Sequence, residues 1–77
     1  MKIYTYAILK DYFDKEFVVE EQFATVQELN NFLTQHNPAA TAILSACRYA
    51  VKDNFVTDDF VLNKEDSIHI IPPSSGG

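Results

Sequence analysis

The hydrophobic pattern of this chain runs at two periods, near two toward both ends and helical in between. Residues Lys2 to Leu9 (KIYTYAIL) are crowded with aromatic and β-branched side chains, which suit a pleated backbone and predict a strand. Alternation puts Ile3, Thr5 and Ala7 on one face of it and Tyr4, Tyr6 and Ile8 on the other. The mixed segment Lys10-Asp11-Tyr12-Phe13-Asp14-Lys15 reads as a loop or a short helical turn. Glu16 to Phe23 (EFVVEEQF) predicts a second strand, antiparallel to the first.

The period then changes. Thr25-Val26-Gln27-Glu28 has the form of a capping box, a threonine N-cap answered three residues later by a glutamate. Val26, Leu29, Phe32 and Leu33 follow at helical spacing, so a helix is predicted over Val26 to Gln35. Asn37-Pro38 reads as N-cap and first helical position of a second, shorter helix through Leu44. Ala46 to Lys52 predicts a third strand, Asp53-Asn54 a turn, and Phe55-Val56 a short extended segment. Asp58-Asp59 and Asn63-Lys64-Glu65-Asp66 read as solvated turns. Ser67 to Ile71 (SIHII) closes the pattern as a strand.

Strand, strand, helix, then further strands is an α+β order, in which the helix covers one face of the sheet. If it packs on Ile3, Val18, Ile68 and Ile70, the opposite face keeps Tyr4, Tyr6, His69 and Ile71, and Phe55 can join them. So much apolar area on an open face marks a partner site.

The last strand runs into Ile71-Pro72-Pro73-Ser74-Ser75-Gly76-Gly77. Each proline removes an amide donor and stops the ladder. The division expected is a domain over residues 1–71 and a thin flexible tail over 72–77. Five residues beyond Pro72 span about 17 Å when extended. The glycines at 76 and 77 leave a tip without Cβ atoms, which another protein's channel can grip by its backbone.

Composition narrows the function. Seventy-seven residues allow one domain with a modest core. A net charge of −5 repels phosphate backbones, which argues against nucleic acid and favours a basic partner surface. No apolar run reaches bilayer-spanning length, no signal peptide is recognisable at the start, and the single cysteine fits a reducing compartment. A cytoplasmic protein is expected. Cys47, in an apolar stretch, reads as core packing; His36 sits at a helix end; His69 alternates onto the open face. His36, His69 and Cys47 lack metal-ligand spacing, so no metal site is expected. No set of residues forms a catalytic constellation.

Glu65-Asp66, the strand Ile68-His69-Ile70-Ile71, Pro72-Pro73, Ser74-Ser75 and Gly76-Gly77, with Ala50-Val51 before a polar turn, resemble the small subunit of molybdopterin synthase. That family consists of β-grasp sulfur carriers of the ubiquitin-like superfamily. Relatives often carry Asn where Lys52 stands, and aromatic residues at Ile70 and Ile71. The resemblance implies a β-grasp fold, a mixed sheet of four to five strands under one main helix. It implies that an E1-like adenylating enzyme consumes ATP to activate the carboxylate of Gly77, which becomes a thiocarboxylate with sulfur from a donor protein. No cofactor is bound by the carrier itself. The tail, Pro72, Pro73, Ser74, Ser75 and Gly76 leading to Gly77, enters the large subunit and donates sulfur to a cyclic pyranopterin precursor. Tyr6, Phe55 and Ile71 resemble positions that meet that subunit, in a heterotetramer of two small and two large chains. Catalytic groups then lie on the partners. A sulfur carrier for thiamine thiazole synthesis, a ubiquitin-like modifier conjugated through Gly77, and a β-grasp binding module with an inert tail remain as alternatives.

Overall fold

A computed structural model describes residues 1–73; the expectations for Ser74, Ser75, Gly76 and Gly77 lie outside the described residues. The strands are β1 (Lys2–Thr5), β2 (Glu16–Val18), β3 (Arg48–Val51), β4 (Asn54–Val56) and β5 (Ser67–Ile71). Helix α1 covers Val26–His36 and helix α2 Thr41–Ala46. The five strands form one mixed sheet in the order β2-β1-β5-β3-β4, with β1 and β5 parallel near its centre and the other neighbours antiparallel.

Thr25 caps α1 as its sequence implies: Thr25 Oγ1 accepts from the Glu28 amide at 3.3 Å, and Glu28 Oε1 accepts from the Ala24 amide at 3.3 Å. Val26, Leu29 and Leu33 turn inward onto Ile3, Ile68 and Ile70, and all six are essentially without solvent contact. Each such burial contributes about 1.5–3 kcal/mol relative to an exposed side chain. One layer of helix on one face of sheet therefore makes the core.

Several local expectations are corrected. The first strand ends at Thr5, not Leu9, because it runs out of neighbours. On the β2 side the ladder ends with the Thr5 amide donating to the Lys15 carbonyl, and Pro72 has no amide with which to continue the β5 ladder. The chain turns at Ala7 (φ 54°) into a 3₁₀ helix over Ala7–Asp11, which drops Leu9 into the core while Ile8 stays exposed. β2 is also shorter than expected, and its faces are reversed. Pairing of Ile3 with Phe17 turns Phe17 and Val19 inward and leaves Val18 outside, 66% exposed. A one-residue shift of strand parity moves every side chain to the other face.

Asn37 does not cap the second helix. Its Nδ2 donates to the Tyr12 carbonyl at 3.0 Å, tying the helix junction to the β1–β2 connection. Pro38–Ala40 form a 3₁₀ turn before α2. The β3–β4 hairpin turns at Lys52-Asp53, one residue earlier than expected, with φ of 53° and 66°. Two consecutive left-handed residues match the right-handed twist of a two-residue hairpin, which is why Val51 pairs directly with Asn54. Asp66 is not a solvated turn residue. It is 7% exposed, its Oδ2 accepts from the Asn63 amide at 2.8 Å, and its own amide donates to the Asn63 carbonyl at 2.9 Å. This clasp sets the start of β5.

Candidate partner-docking face and tail root

Strand parity aligns two rows of side chains on the sheet face that the helices leave open. In the first row Tyr4 of β1 pairs with His69 of β5, His69 with Ala50 of β3, and Ala50 with Phe55 of β4. In the second, Ile71 pairs with Arg48, and Tyr6 continues past the end of β1 on the other side of Ile71. The His69 imidazole stacks on the Tyr4 ring at 4.6 Å and 7°. Tyr6 Oη lies 2.6 Å from His69 Nδ1, so with His69 neutral and protonated at Nε2 the phenol donates to Nδ1. Arg48 lays its guanidinium over the Phe55 ring, 3.8 Å from the centroid. Such a stack contributes about 0.5–1 kcal/mol at an exposed site and holds both side chains flat.

Ala50, Asp53, Phe55, His69 and Ile71 line a shallow depression, and the small Ala50 side chain is its floor. Phe55 is 54% exposed and Tyr6 41%, while His69 and Ile71 are half-buried. At the far side Lys2 Nζ pairs with Glu16 Oε2 at 2.9 Å; hydrogen bonding to Glu16, helped by Tyr4, holds the lysine above its ordinary range. The face is apolar and aromatic in the middle, with a cation over one end.

β5 lies at the centre of the sheet, and the chain leaves it between Tyr6 and Arg48. Pro72 is buried against the body and Pro73 is exposed, so the chain stays anchored one residue past the end of β5. The structure thus brings Tyr6, Phe55 and Ile71 to one surface; Pro72, next in alternation after Ile71, is buried instead of lying on that surface, and Pro73 is exposed. Arg48 and Ala50 also belong to this surface, although sequence reasoning does not point to them. Their even parity on β3, matched to His69 and Ile71 across an antiparallel pair, is the signal that finds them.

Among the described residues, nothing on this face makes an acid–base or nucleophilic constellation. Cys47 lies beside the core, its Sγ donating to the Ile43 carbonyl at 3.1 Å, and burial pushes its thiol up to about 11. At neutral pH it is a thiol, not the thiolate that attacks electrophiles. Tyr49, on the core side of β3, is raised further by burial, and its hydroxyl finds no hydrogen bond of ordinary geometry among the described residues. Among those residues no group of three His, Cys, Asp or Glu side chains could hold a metal ion, and no helix is long and apolar enough to cross a membrane.

The model of the ThiS family matches residues 3–77. This chain belongs to the ThiS family. It is a ThiS-family sulfur carrier with the β-grasp arrangement of sheet and helix described above. Among solved structures it is similar to a chain in the protein–protein complex of subunits 1 and 2 of molybdopterin-converting factor from Helicobacter pylori 26695. The TM-score is 0.70 at 21% identity, over 99% of this chain and 96% of that one. A likeness at that identity establishes the shared fold over the whole ThiS-family domain.

Proposed function

We propose that this ThiS-family chain is the sulfur-carrying small subunit of molybdopterin synthase. The observation that supports it best is the continuity of the open face with the tail. β5 contributes His69 and Ile71 to an exposed aromatic surface and, two residues later, releases Pro73 toward the Gly-Gly end. A partner that covers Tyr6, Phe55 and Ile71 receives the tail in a set direction. The fold shared with a chain of a two-subunit molybdopterin-converting factor complex supports the same reading.

The chemistry follows from the terminal carboxylate. An oxygen of the Gly77 carboxylate attacks the α-phosphorus of ATP on an E1-like adenylating enzyme, and pyrophosphate leaves. The acyl-adenylate carbon is then a good electrophile, and sulfide-level sulfur delivered by a donor protein attacks it, breaking the acyl–phosphate bond and releasing AMP, to leave a thiocarboxylate. In the large subunit that soft, charged sulfur displaces an oxygen substituent from a carbon of the cyclic pyranopterin precursor, and water then cleaves the resulting thioester, returning the carboxylate and leaving the sulfur on the pterin as a thiol. Docking through the open face turns an encounter between proteins into an oriented reaction within one complex. Catalytic groups come from the partners, and the carrier contributes rigidity, reach and a narrow tip.

Mass spectrometry tests this directly. The full chain incubated with ATP, the adenylating enzyme and a sulfur donor gains the mass of one oxygen exchanged for sulfur, located on the C-terminal peptide. Deleting Gly77 abolishes the gain while the unfolding midpoint stays put. Dithiolene formation by the truncated chain rules the assignment out. The match to the ThiS family favours a second reading, a carrier for thiamine thiazole synthesis, which shares the activation steps. Copurification separates the two: a pterin-binding large subunit supports the first, a thiazole synthase the second.

A further inference from the structure

A second surface lies away from the tail. Between β2 and α1 runs a groove of about 430 Å³, lined by Phe13, Phe17, Val19, Phe32, Leu33 and His36. Four of the six phenylalanines gather at this end of the molecule, and Phe13, Phe17, Phe23 and Phe32 are all only half-buried. Phe13 stacks with Phe17 at 6.1 Å, Phe23 packs on Phe32 at 5.0 Å, and His36 lies over Phe32 at 5.8 Å. A domain this small has little aromatic surface to spare. Here it forms the floor of an open groove.

The groove's upper wall is an unpaired sheet edge. β2 is the terminal strand of the sheet. Met1 and Val19 exchange both backbone bonds, at 3.1 and 2.9 Å, and Thr5 donates to Lys15 at 3.0 Å, so the odd-numbered residues of β2 face β1. Alternation in an antiparallel pair then points the amides and carbonyls of Glu16 and Val18 outward, to the free side. Such an edge is a template for an added strand.

Charge selects the occupant. Asp14, Glu20 and Glu21 line the groove, and among the described residues no lysine or arginine does. A second copy pairing edge to edge would set Asp14, Glu20 and Glu21 against the same three carboxylates, Glu16 being paired with Lys2. Like charges across such a contact oppose it, whereas a basic segment is drawn in. We propose that the β2 edge and the aromatic groove beneath it dock an extended apolar segment of another protein flanked by lysine or arginine, which joins the sheet as an added strand. This surface is independent of the tail-bearing face, so a partner held here leaves Tyr6, Phe55 and Ile71 free.

The test titrates the full, isotopically labelled chain with a synthetic peptide of about ten residues, the upper range of strand length, with a valine–isoleucine centre and lysine and arginine ends. Expected are amide shifts centred on Glu16, Val18 and the Phe32–His36 turn of α1, and binding at least about tenfold weaker for the same peptide with glutamate ends. Val18→Pro removes an outward amide without touching the β1 ladder, and lowers affinity about tenfold or more. Should that variant not fold, Glu20→Lys with Glu21→Lys, both exposed, must reverse the preference between the two peptides. Shifts confined to the Tyr4–His69–Phe55 face, equal binding of the acidic peptide, or concentration-dependent self-association through β2 would each overturn the proposal.

Discussion

Ile70 and Ile71 are neighbours on one strand and have opposite work. Ile70 is fully buried under α1, whereas Ile71 sits half-exposed between Tyr6 and Arg48. The same contrast runs across the whole sheet. On the helix side, Ile3, Ile68 and Ile70 meet Leu29 and Leu33 in aliphatic packing with essentially no solvent contact. On the open side, Tyr4, Tyr6 and His69 hold one another through ring stacking and a phenol–imidazole hydrogen bond, and Arg48 covers Phe55. Aliphatic side chains hold a core because burial rewards area without direction. Aromatic and amphipathic side chains suit a face that must be wet when free and dry when covered. One side supplies stability; the other is the face to which the proposed function assigns recognition.

That division can be broken experimentally. Ile70→Ala should destabilise the chain by about 2–5 kcal/mol, whereas Ile71→Ala should cost less than about 1 kcal/mol, both read from urea midpoints. Equal losses would erase the distinction between the faces. Phe55→Ala should reverse the ranking. Its unfolding free energy should move by no more than about 0.5 kcal/mol, while affinity for the proposed large-subunit partner, measured by calorimetry, falls by about 2 kcal/mol, near thirtyfold.

Alkaline pH sharpens the comparison from the core side. Between pH 9 and 11 the unfolded chain gives up the Cys47 proton while the folded chain keeps it, because burial raises the folded value to about 11. The folded state then binds more protons, so stability falls as pH rises through that window. Tyr49, also raised by burial, adds a loss of the same sign at higher pH. Below pH 9 neither group contributes. Cys47→Ala should flatten the earlier part of the decline in urea midpoint against pH, and an unchanged slope would remove Cys47 as its source. The smallest effect belongs to the hairpin. Lys52→Asn, at a position with φ of 53°, should raise stability by up to about 1 kcal/mol in the same assay, since asparagine tolerates the left-handed region better.

Elements with their own local chemistry are legible in the amino-acid order. The capping box of Thr25 and Glu28 and the Val26-Leu29-Leu33 stripe define α1 within one residue, because cap and periodicity act inside a single segment. The parity of β5 is equally plain, and with it the placing of His69 and Ile71 on the open face. Pattern misleads where a neighbour decides. The extent of β1 depends on where β2 and β5 stop, and the inward face of β2 on pairing Ile3 with Phe17 instead of Val18. Asn37 resembles a cap but spends its amide on Tyr12, far away in sequence. Arg48 gives no local signal for the same reason, since its role exists only once Phe55 lies across the hairpin.

The amino-acid order alone determined an α+β domain, its helix, its closing strand and the prolines that stop that strand, because each rests on interactions between residues close along the chain. Tertiary structure decided that Ile71, the last residue before the prolines, lies on the central strand between Tyr6 and Arg48, and that a second aromatic groove opens beneath β2. Those facts come from pairing between distant strands, whose order and register are set by which side chains fill the shared core together.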